Sequence, residues 1–278
     1  MSMQGNQTAV AAGMAQESGN IILETRGLTK RFEGLVAVNN LSMEVHKRRI
    51  HTLIGPNGSG KTTTVNLITG VLTPTEGSIH FQGQEITGNP SYKIARMGLS
   101  RTFQNIKLFS AMTVLENLMV GGHAKAPQEI VGFLFNLKKA GQEERMLREK
   151  SLEVLQSLGL YELRDEQVSS LPYGLQKMTE LGRTLMTEPD MILLDEPAAG
   201  LIPSERTAFV GTLKSLYERG IDLFLIEHNM DVVMNISHYI TVLNFGSKIA
   251  EGQPGDVVND PEVIRAYLGD RYKQAQAK

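Results

Sequence analysis

A glycine-rich segment, Gly55-Pro56-Asn57-Gly58-Ser59-Gly60-Lys61-Thr62, has the residue types and the spacing of a phosphate-binding loop. Its glycines let the backbone curl so that several N–H groups point into one concavity, and the positive end of a following helix adds to the field on a bound phosphate. Lys61 supplies a charge for the terminal phosphates, and Thr62 offers a hydroxyl to Mg²⁺. The segment, here called the phosphate cradle, predicts binding of ATP or a similar nucleotide with Mg²⁺. A glycine-rich turn without a ligand is the simpler alternative.

Two adjacent acids form a second candidate group. Asp195 and Glu196 follow an apolar run, Met191 to Leu194, that is typical of a buried strand. We expect Asp195 to bind Mg²⁺ and Glu196 to polarise the attacking water as a general base. Adjacent strand residues point to opposite faces, so the two carboxylates can converge only if the chain turns at the strand end, and Pro197 would help to form that turn. A strand that ends in two solvated acids is the alternative.

Two further polar residues follow predicted strands. Gln104 comes just after the predicted strand Leu99 to Thr102 and could bind Mg²⁺ or the attacking water. His228 follows another apolar run and could contact the γ-phosphate. A single glutamine or histidine in such a place is more often structural or simply exposed.

Strands and helices alternate in the pattern that would position these residues. Leu41, Met43 and Val45 alternate with polar residues, as in a half-buried strand, and the run Ile50 to Ile54 leads into the cradle. We predict further strands at Ser78–Phe81, Leu99–Thr102, Met191–Leu194 and Leu223–Ile226, helices at Lys61–Thr69, Ser204–Arg219 and Pro261–Leu268, and a hairpin of Thr241–Phe245 and Lys248–Ala250 that turns at Gly246. The alternation predicts a mostly parallel sheet with crossover helices. Residues from about 105 to 180 have helical patterns and could form a separate lobe.

Composition narrows the class of protein. The 278 residues are 41% apolar and 21% charged, with a net charge of −2, so no strong overall field favours nucleic acid. The absence of cysteine excludes disulfides and thiolate metal sites. No apolar run approaches the ~20 residues of a membrane span, and residues 1–20 are expected to be a mobile tail. Several basic residues are expected to form a solvated helix face rather than a nucleic-acid patch: Lys138, Lys139, Arg145, Arg148 and Lys150.

Taken together, these segments resemble the ATPase subunits of ABC transporters over about residues 21 to 269. The resemblance implies nucleotide contacts from Gly55 to Thr63, an adenine-stacking ring at Phe32, a glutamine loop at Gln104 and a switch histidine at His228. For Phe32, burial in the core is the competing interpretation. The signature loop maps to Leu171-Pro172-Tyr173-Gly174-Leu175, in which the N–H groups of Tyr173 and Gly174 can still contact a phosphate but Pro172 has none to offer.

The Leu-Pro-Tyr-Gly sequence is similar to that of ATPases of high-affinity branched-chain amino acid importers. The segments Arg101–Asn105, Leu194–Leu201 and Ile226–Val233 also agree with that group, as does the placement of an insertion around residues 123–139. The chain departs from the expected residues at Leu175, Met178 and Ile202, where glutamine, arginine and a polar residue are usual.

The resemblance implies an α/β fold: a P-loop NTPase (RecA-like) core with a mostly parallel sheet, an antiparallel β subdomain and an inserted helical lobe at about 105–180. It implies one ATPase domain over 21–270, with a C-terminal tail at 271–278. It also implies a head-to-tail dimer with a sister ATPase or a second copy, docked through two transmembrane permease subunits on the cytoplasmic face of the inner membrane. A periplasmic or extracellular solute-binding protein would act indirectly, and no nucleic acid is expected.

Three alternatives to this interpretation stay open. The first is an ATPase of a related importer for urea, short amides or other amino acids. The second is a soluble ABC ATPase of DNA repair or translation, and the third is a module that binds ATP without hydrolysing it.

Overall fold

The structure, a computed structural model, describes residues 20–123 and 137–268. The predicted tails, at 1–20 and 271–278, lie outside the described residues except for Asn20, as does most of the insertion around 123–139. Asn20 is described, and its carbonyl oxygen accepts a hydrogen bond from the Lys47 N–H at 2.7 Å. The described chain divides into two compact units, one formed by residues 20–90 and 237–268 and the other by residues 91–123 and 137–236. The predicted helical lobe at 105–180 stays a prediction.

The described residues contain ten strands, nine α-helices and two short 3₁₀ turns. The strands are β1 (Ile21–Phe32), β2 (Leu35–His46), β3 (His51–Ile54), β4 (Glu76–Phe81), β5 (Gln84–Glu85), β6 (Leu99–Thr102), β7 (Met191–Asp195), β8 (Asp222–Ile226), β9 (Tyr239–Asn244) and β10 (Ser247–Gly252). The helices are α1 (Lys61–Ile68), α2 (Ser91–Arg96), α3 (Val114–His123), α4 (Leu137–Ser157), α5 (Tyr173–Leu185), α6 (Pro203–Glu218), α7 (Met230–Ile236), α8 (Pro254–Val258) and α9 (Pro261–Leu268). Two short 3₁₀ turns lie at Tyr161–Leu163 and Val168–Ser170.

The first unit contains an antiparallel sheet in the order β2–β1–β4–β5. In β2, Leu41, Met43 and Val45 are buried between exposed neighbours, which confirms the predicted half-buried strand. In the same unit, β3 pairs in parallel with β9, and β9 forms an antiparallel hairpin with β10 that turns at Phe245 and Gly246. All residues of β3 are buried, as is usual for a parallel strand covered on both faces.

The second unit contains the parallel strands β6, β7 and β8, with Arg101 opposite Leu193 and Asp195 opposite Ile226. Both β7 and β8 are buried along their whole length. Carboxyl ends of parallel strands meet at one edge of a sheet, so residues that follow β6, β7 and β8 lie near one another. Gln104, Glu196 and His228 come from these three positions. The α/β fold with parallel and antiparallel strands is therefore confirmed.

None of the helices in the described ranges combines the length and the apolar character that a bilayer crossing requires.

Candidate functional site

The phosphate cradle lies between β3 and α1 in the first unit, and glycine is needed at its two ends. Gly55 has φ 154°, and a Cβ there would lie 2.2 Å from the Leu243 carbonyl oxygen. Gly60, the residue before α1, has φ 101°, and a Cβ there would lie 2.4 Å from the Ala37 carbonyl oxygen. Both residues therefore lie against neighbouring backbone in a conformation that other residues rarely adopt. The first N–H groups of α1 have no acceptor within the helix, so the cradle ends on helix-terminal donors.

The side chains inside the cradle fit a phosphate group. Lys61 is buried, and its Nζ donates to the carbonyl oxygens of Gly55 at 2.7 Å and Pro56 at 3.0 Å. The Ser59 Oγ is buried without a hydrogen-bond partner among the described residues. A buried hydroxyl without a partner is costly unless a ligand or water satisfies it, and a phosphate oxygen would do so. Asn57, Gly58 and Thr62 are exposed at the rim, where a ligand can reach them.

Phe32 lies at the end of β1 in the same unit, and its residue is 40% exposed. The Lys30 Nζ lies 5.1 Å from the centre of its ring. The alternative of burial in the core is therefore wrong, while its role in stacking on adenine stays a prediction.

The second unit holds an acid–amide–histidine cluster built around Glu196. Directly after β7 the backbone of Glu196 turns into the left-handed region, with φ 48°. The Gln104 Nε2 donates to Glu196 Oε2 at 2.8 Å. The His228 Nδ1 lies 3.6 Å from the same oxygen, which is too long for a hydrogen bond. Three of the predicted residues thus meet, and Gln104 reaches Glu196 directly.

Asp195 has a partner that the sequence interpretation missed. Arg101 Nη2 donates to Asp195 Oδ2 at 2.6 Å, and the two side chains are 10% and 6% exposed. Mg²⁺ takes oxygen ligands while it keeps several waters, so the carboxylate of Asp195 and the amide of Gln104 in this unit suit the ion chemically. The hydroxyl of Thr62, in the first unit, belongs to the same class of ligand. Within the described ranges no three His, Cys, Asp or Glu side chains gather into a metal site of their own.

The signature loop leads into α5. Pro172 precedes the helix with extended backbone angles, and Tyr173 and Gly174 are its first two residues. A Cβ on Gly174 would lie 2.6 Å from Glu205 Cδ, and a Cβ on Gly200 would lie 2.8 Å from the Tyr173 ring. The Tyr173 ring therefore lies against the loop that follows Glu196. Burial raises the pKa of Tyr173.

Two buried charges beside Glu196 were also missed. Lys177 is 4% exposed, and its Nζ donates to the carbonyl oxygens of Glu196 and Pro197. Glu227 is fully buried and accepts hydrogen bonds from the N–H groups of Ala198, His228 and Asn229. The sequence does contain features that indicate burial of both charges. Lys177 precedes Leu181 by four residues on the apolar face of a helix, and Glu227 continues the buried run of β8.

The sequence and the structure of this chain are similar to those of known nucleotide-binding proteins. The profile of the ABC transporter family matches residues 38–199, and that of the branched-chain amino acid ATP-binding cassette transporter family matches residues 247–273. The first match includes the cradle, Asp195 and Glu196. A crystal structure of the ADP conformation of MJ1267, described as an ATP-binding cassette of an ABC transporter, is 37% identical, with a TM-score of 0.79 over 90% of this chain and 99% of that chain.

Curated relatives extend the match to nearly their whole length. A high-affinity branched-chain amino acid transport ATP-binding protein of Pseudomonas aeruginosa, BraF, is 43% identical over 90% of this chain and 98% of its own. Its counterpart from Escherichia coli, LivG, is 41% identical over 90% of this chain and 98% of its own. The chain therefore belongs to the ABC transporter family, among its ATP-hydrolysing, ATP-binding cassette subunits.

Proposed function

We propose that this protein binds and hydrolyses ATP to drive the uptake of branched-chain amino acids through a membrane permease. The observation that carries the proposal is the match to BraF and LivG over 98% of their lengths, which includes every segment singled out by its chemistry. The glycine-walled cradle supports the nucleotide part of the proposal, because Gly55 and Gly60 lie where no other residue fits without displacing backbone.

The proposed reaction assigns a task to each of these residues, and two tasks to Gln104. Lys61, Ser59 and the N–H groups of the cradle bind the β- and γ-phosphates, and Phe32 stacks on the adenine. Thr62, Asp195 and Gln104 hold Mg²⁺, which neutralises charge on the phosphates. Glu196 polarises the attacking water, and Gln104 and His228 orient that water and the γ-phosphate. The contact of Gln104 with the Glu196 carboxylate supports the last assignment.

We further propose partners that follow from the family. Two copies of such a subunit, or this chain and a sister ATPase, would pack head to tail. The N–H groups of Tyr173 and Gly174 would then contact the nucleotide of the partner subunit. The pair would dock on two transmembrane permease subunits at the cytoplasmic face of the inner membrane. A periplasmic or extracellular solute-binding protein would deliver the amino acid.

Two variants test the nucleotide chemistry. Lys61→Ala is expected to weaken ATP binding by about 10- to 100-fold, because it removes a charge-assisted contact to the phosphates. Glu196→Gln is expected to retain binding and to lower turnover by about 100-fold or more. Fluorescent-nucleotide titration and phosphate release from the assembled complex measure the two effects. Unchanged phosphate release by Glu196→Gln would remove Glu196 from its role.

The cargo is tested by uptake. Vesicles that contain the full transporter should accumulate labelled leucine, isoleucine or valine with ATP and should fail to do so with the Glu196→Gln chain. Uptake of urea or short amides instead would favour the related importers. Stimulation of ATP hydrolysis by nucleic acid, without any effect of permease, would favour a soluble ATPase. A complex that binds ATP but never releases phosphate would favour a non-hydrolysing module.

A further inference from the structure

A single buried lysine holds the turn that carries Glu196. Lys177 lies in the second turn of α5 and is 4% exposed. Its Nζ donates to the Glu196 carbonyl oxygen at 3.2 Å and to the Pro197 carbonyl oxygen at 3.0 Å. The same ammonium lies 5.5 Å from the centre of the Tyr173 ring. The Lys177 side chain thus connects the start of α5 to Glu196 and Pro197, the two residues that follow Asp195.

The turn at Glu196 needs such support. A residue other than glycine in the left-handed region costs on the order of 1–3 kcal/mol and persists only where the surroundings impose it. Glu196 has φ 48°, and its N–H donates to the Ile226 carbonyl oxygen at 2.9 Å. On the far side of the turn, the Ala198 N–H donates to Glu227 Oε1 at 2.9 Å. Between these points, the Glu196 carbonyl oxygen accepts hydrogen bonds from Lys177 Nζ and, at 3.1 Å, from the Ala199 N–H. The Pro197 carbonyl oxygen accepts one from Lys177 Nζ.

The surroundings of Lys177 suit a charged clamp. Burial lowers the pKa of Lys177, and the nearby acids Glu180, Glu227, Glu196 and Asp195 oppose that shift. An ammonium without partners would be too costly to bury, so the two carbonyl contacts and these acids are what retain it. A neutral side chain of similar length would fill the space but would leave both carbonyls without this donor.

We propose that Lys177 is a positioning residue for ATP hydrolysis, which fixes the Glu196 turn so that its carboxylate faces the attacking water. The proposal rests on the proposed role of Glu196, whose carboxylate is directed at Gln104 and His228. Loss of the clamp lets the turn relax, and a displacement of about 1 Å in such a group lowers a rate by up to about 100-fold.

The test compares variants of Lys177 in the full chain, assayed within its transporter complex. Lys177→Met should lower kcat by about 10- to 100-fold and leave the ATP affinity within about twofold of its original value. Lys177→Arg, which keeps the charge and the donors, should recover most of the rate. Lys214→Met removes a lysine from the exposed face of α6 and should leave the rate unchanged. If Lys177→Met melts below the assay temperature, Lys177→Gln replaces it.

The same change made in the Glu196→Gln variant tests whether Lys177 acts through Glu196. In Glu196→Gln, the further change Lys177→Met should alter the residual rate by less than about twofold, because a positioning residue acts through the group it positions. Equal losses in both backgrounds, a raised KM with unchanged kcat, or no recovery by Lys177→Arg would each overturn the proposal. The proposed function fails separately: if Glu196→Gln alone keeps full turnover, Glu196 is not the base, whatever Lys177 does.

Discussion

Arg101 and Asp195 form a buried ion pair in which each charge depends on the other. Their side-chain atoms lie 2.6 Å apart, and both side chains are nearly inaccessible to solvent. The guanidinium also lies 5.1 Å from the centre of the Phe103 ring. Because Asp195 is the proposed Mg²⁺ ligand, Arg101 balances its charge in the conformation described here.

We expect Arg101→Met to lower the free energy of unfolding by about 3 kcal/mol, since it leaves a buried carboxylate without its partner. Urea unfolding measures the loss. The double change Arg101→Met with Asp195→Asn should recover at least half of it, because the uncompensated charge is then removed as well. Losses that simply add in the double variant would show that the pair is not coupled.

Among individual residues, the sequence predicted those that belong to recognisable motifs and missed those whose side chains hold the motif residues in place. Gln104, Glu196 and His228 were placed by their positions after predicted strands, and the structure brings them together. Arg101, Lys177 and Glu227 carry no motif of their own. Their importance lies in contacts with backbone or with another charge, and only the folded chain shows such contacts.

Helix α6 begins at an unsuitable capping residue. Ile202 precedes the helix, is 58% exposed, and has no side-chain acceptor for the first N–H groups. Glu205 compensates in part, because its Oε2 accepts a hydrogen bond from the Ile202 N–H at 3.2 Å. The polar residue expected at this position would supply the missing acceptor.

Ile202→Asn should therefore raise the free energy of unfolding by about 1 kcal/mol and the melting temperature by about 2 °C. Thermal melting of the full chain measures the change. Ile202→Ala is the matched control, since it shortens the exposed side chain without supplying a cap, and it should give no gain. An equal gain from alanine would show that loss of exposed apolar surface, and not capping, is responsible.

Several elements were predicted close to their observed limits, but three short helices were missed. The strand Leu99–Thr102 and the helix Pro261–Leu268 have the predicted limits, and the hairpin turns at Gly246 as expected. The helices Ser91–Arg96, Met230–Ile236 and Pro254–Val258 were missed. Helices of one or two turns are held by their packing more than by propensity, so their sequences carry little signal.

At the scale of the whole molecule, a buried neutral histidine connects stability to pH. His51 on β3 is buried, and its Nε2 lies 2.9 Å from Thr241 Oγ1 on the neighbouring strand β9. Burial, together with the positive charges of His46 and Lys248, lowers the pKa of His51 from 6.5 to about 3. The Tyr239 ring packs beside it, with the ring centres 5.3 Å apart. The folded chain therefore resists protonation at this position.

Because the folded-state pKa is lower, the unfolded chain binds the proton first as the pH falls. Stability from neutral His51 is full above pH 6.5 and is lost toward pH 3, at about 1.4 kcal/mol per pH unit. Urea unfolding at several values of pH in this window measures the slope. His51→Gln, which does not titrate, should give a shallower slope. Equal slopes in both proteins would contradict the assignment.

In the proposed binding mode, Lys61 would exchange two backbone carbonyl acceptors for phosphate oxygens when a nucleotide binds. Its ammonium already has two carbonyl acceptors, at 2.7 and 3.0 Å, so an arriving anion must outcompete backbone dipoles and not merely displace water. Inorganic phosphate or sulfate has only one small group of oxygens with which to compete for the Lys61 ammonium. In the proposed binding mode, a triphosphate would engage the helix end, the Ser59 hydroxyl and the lysine at once. The cradle should thus reject the abundant small anions of the cell and admit the larger ones, a selectivity that arises before any adenine is recognised.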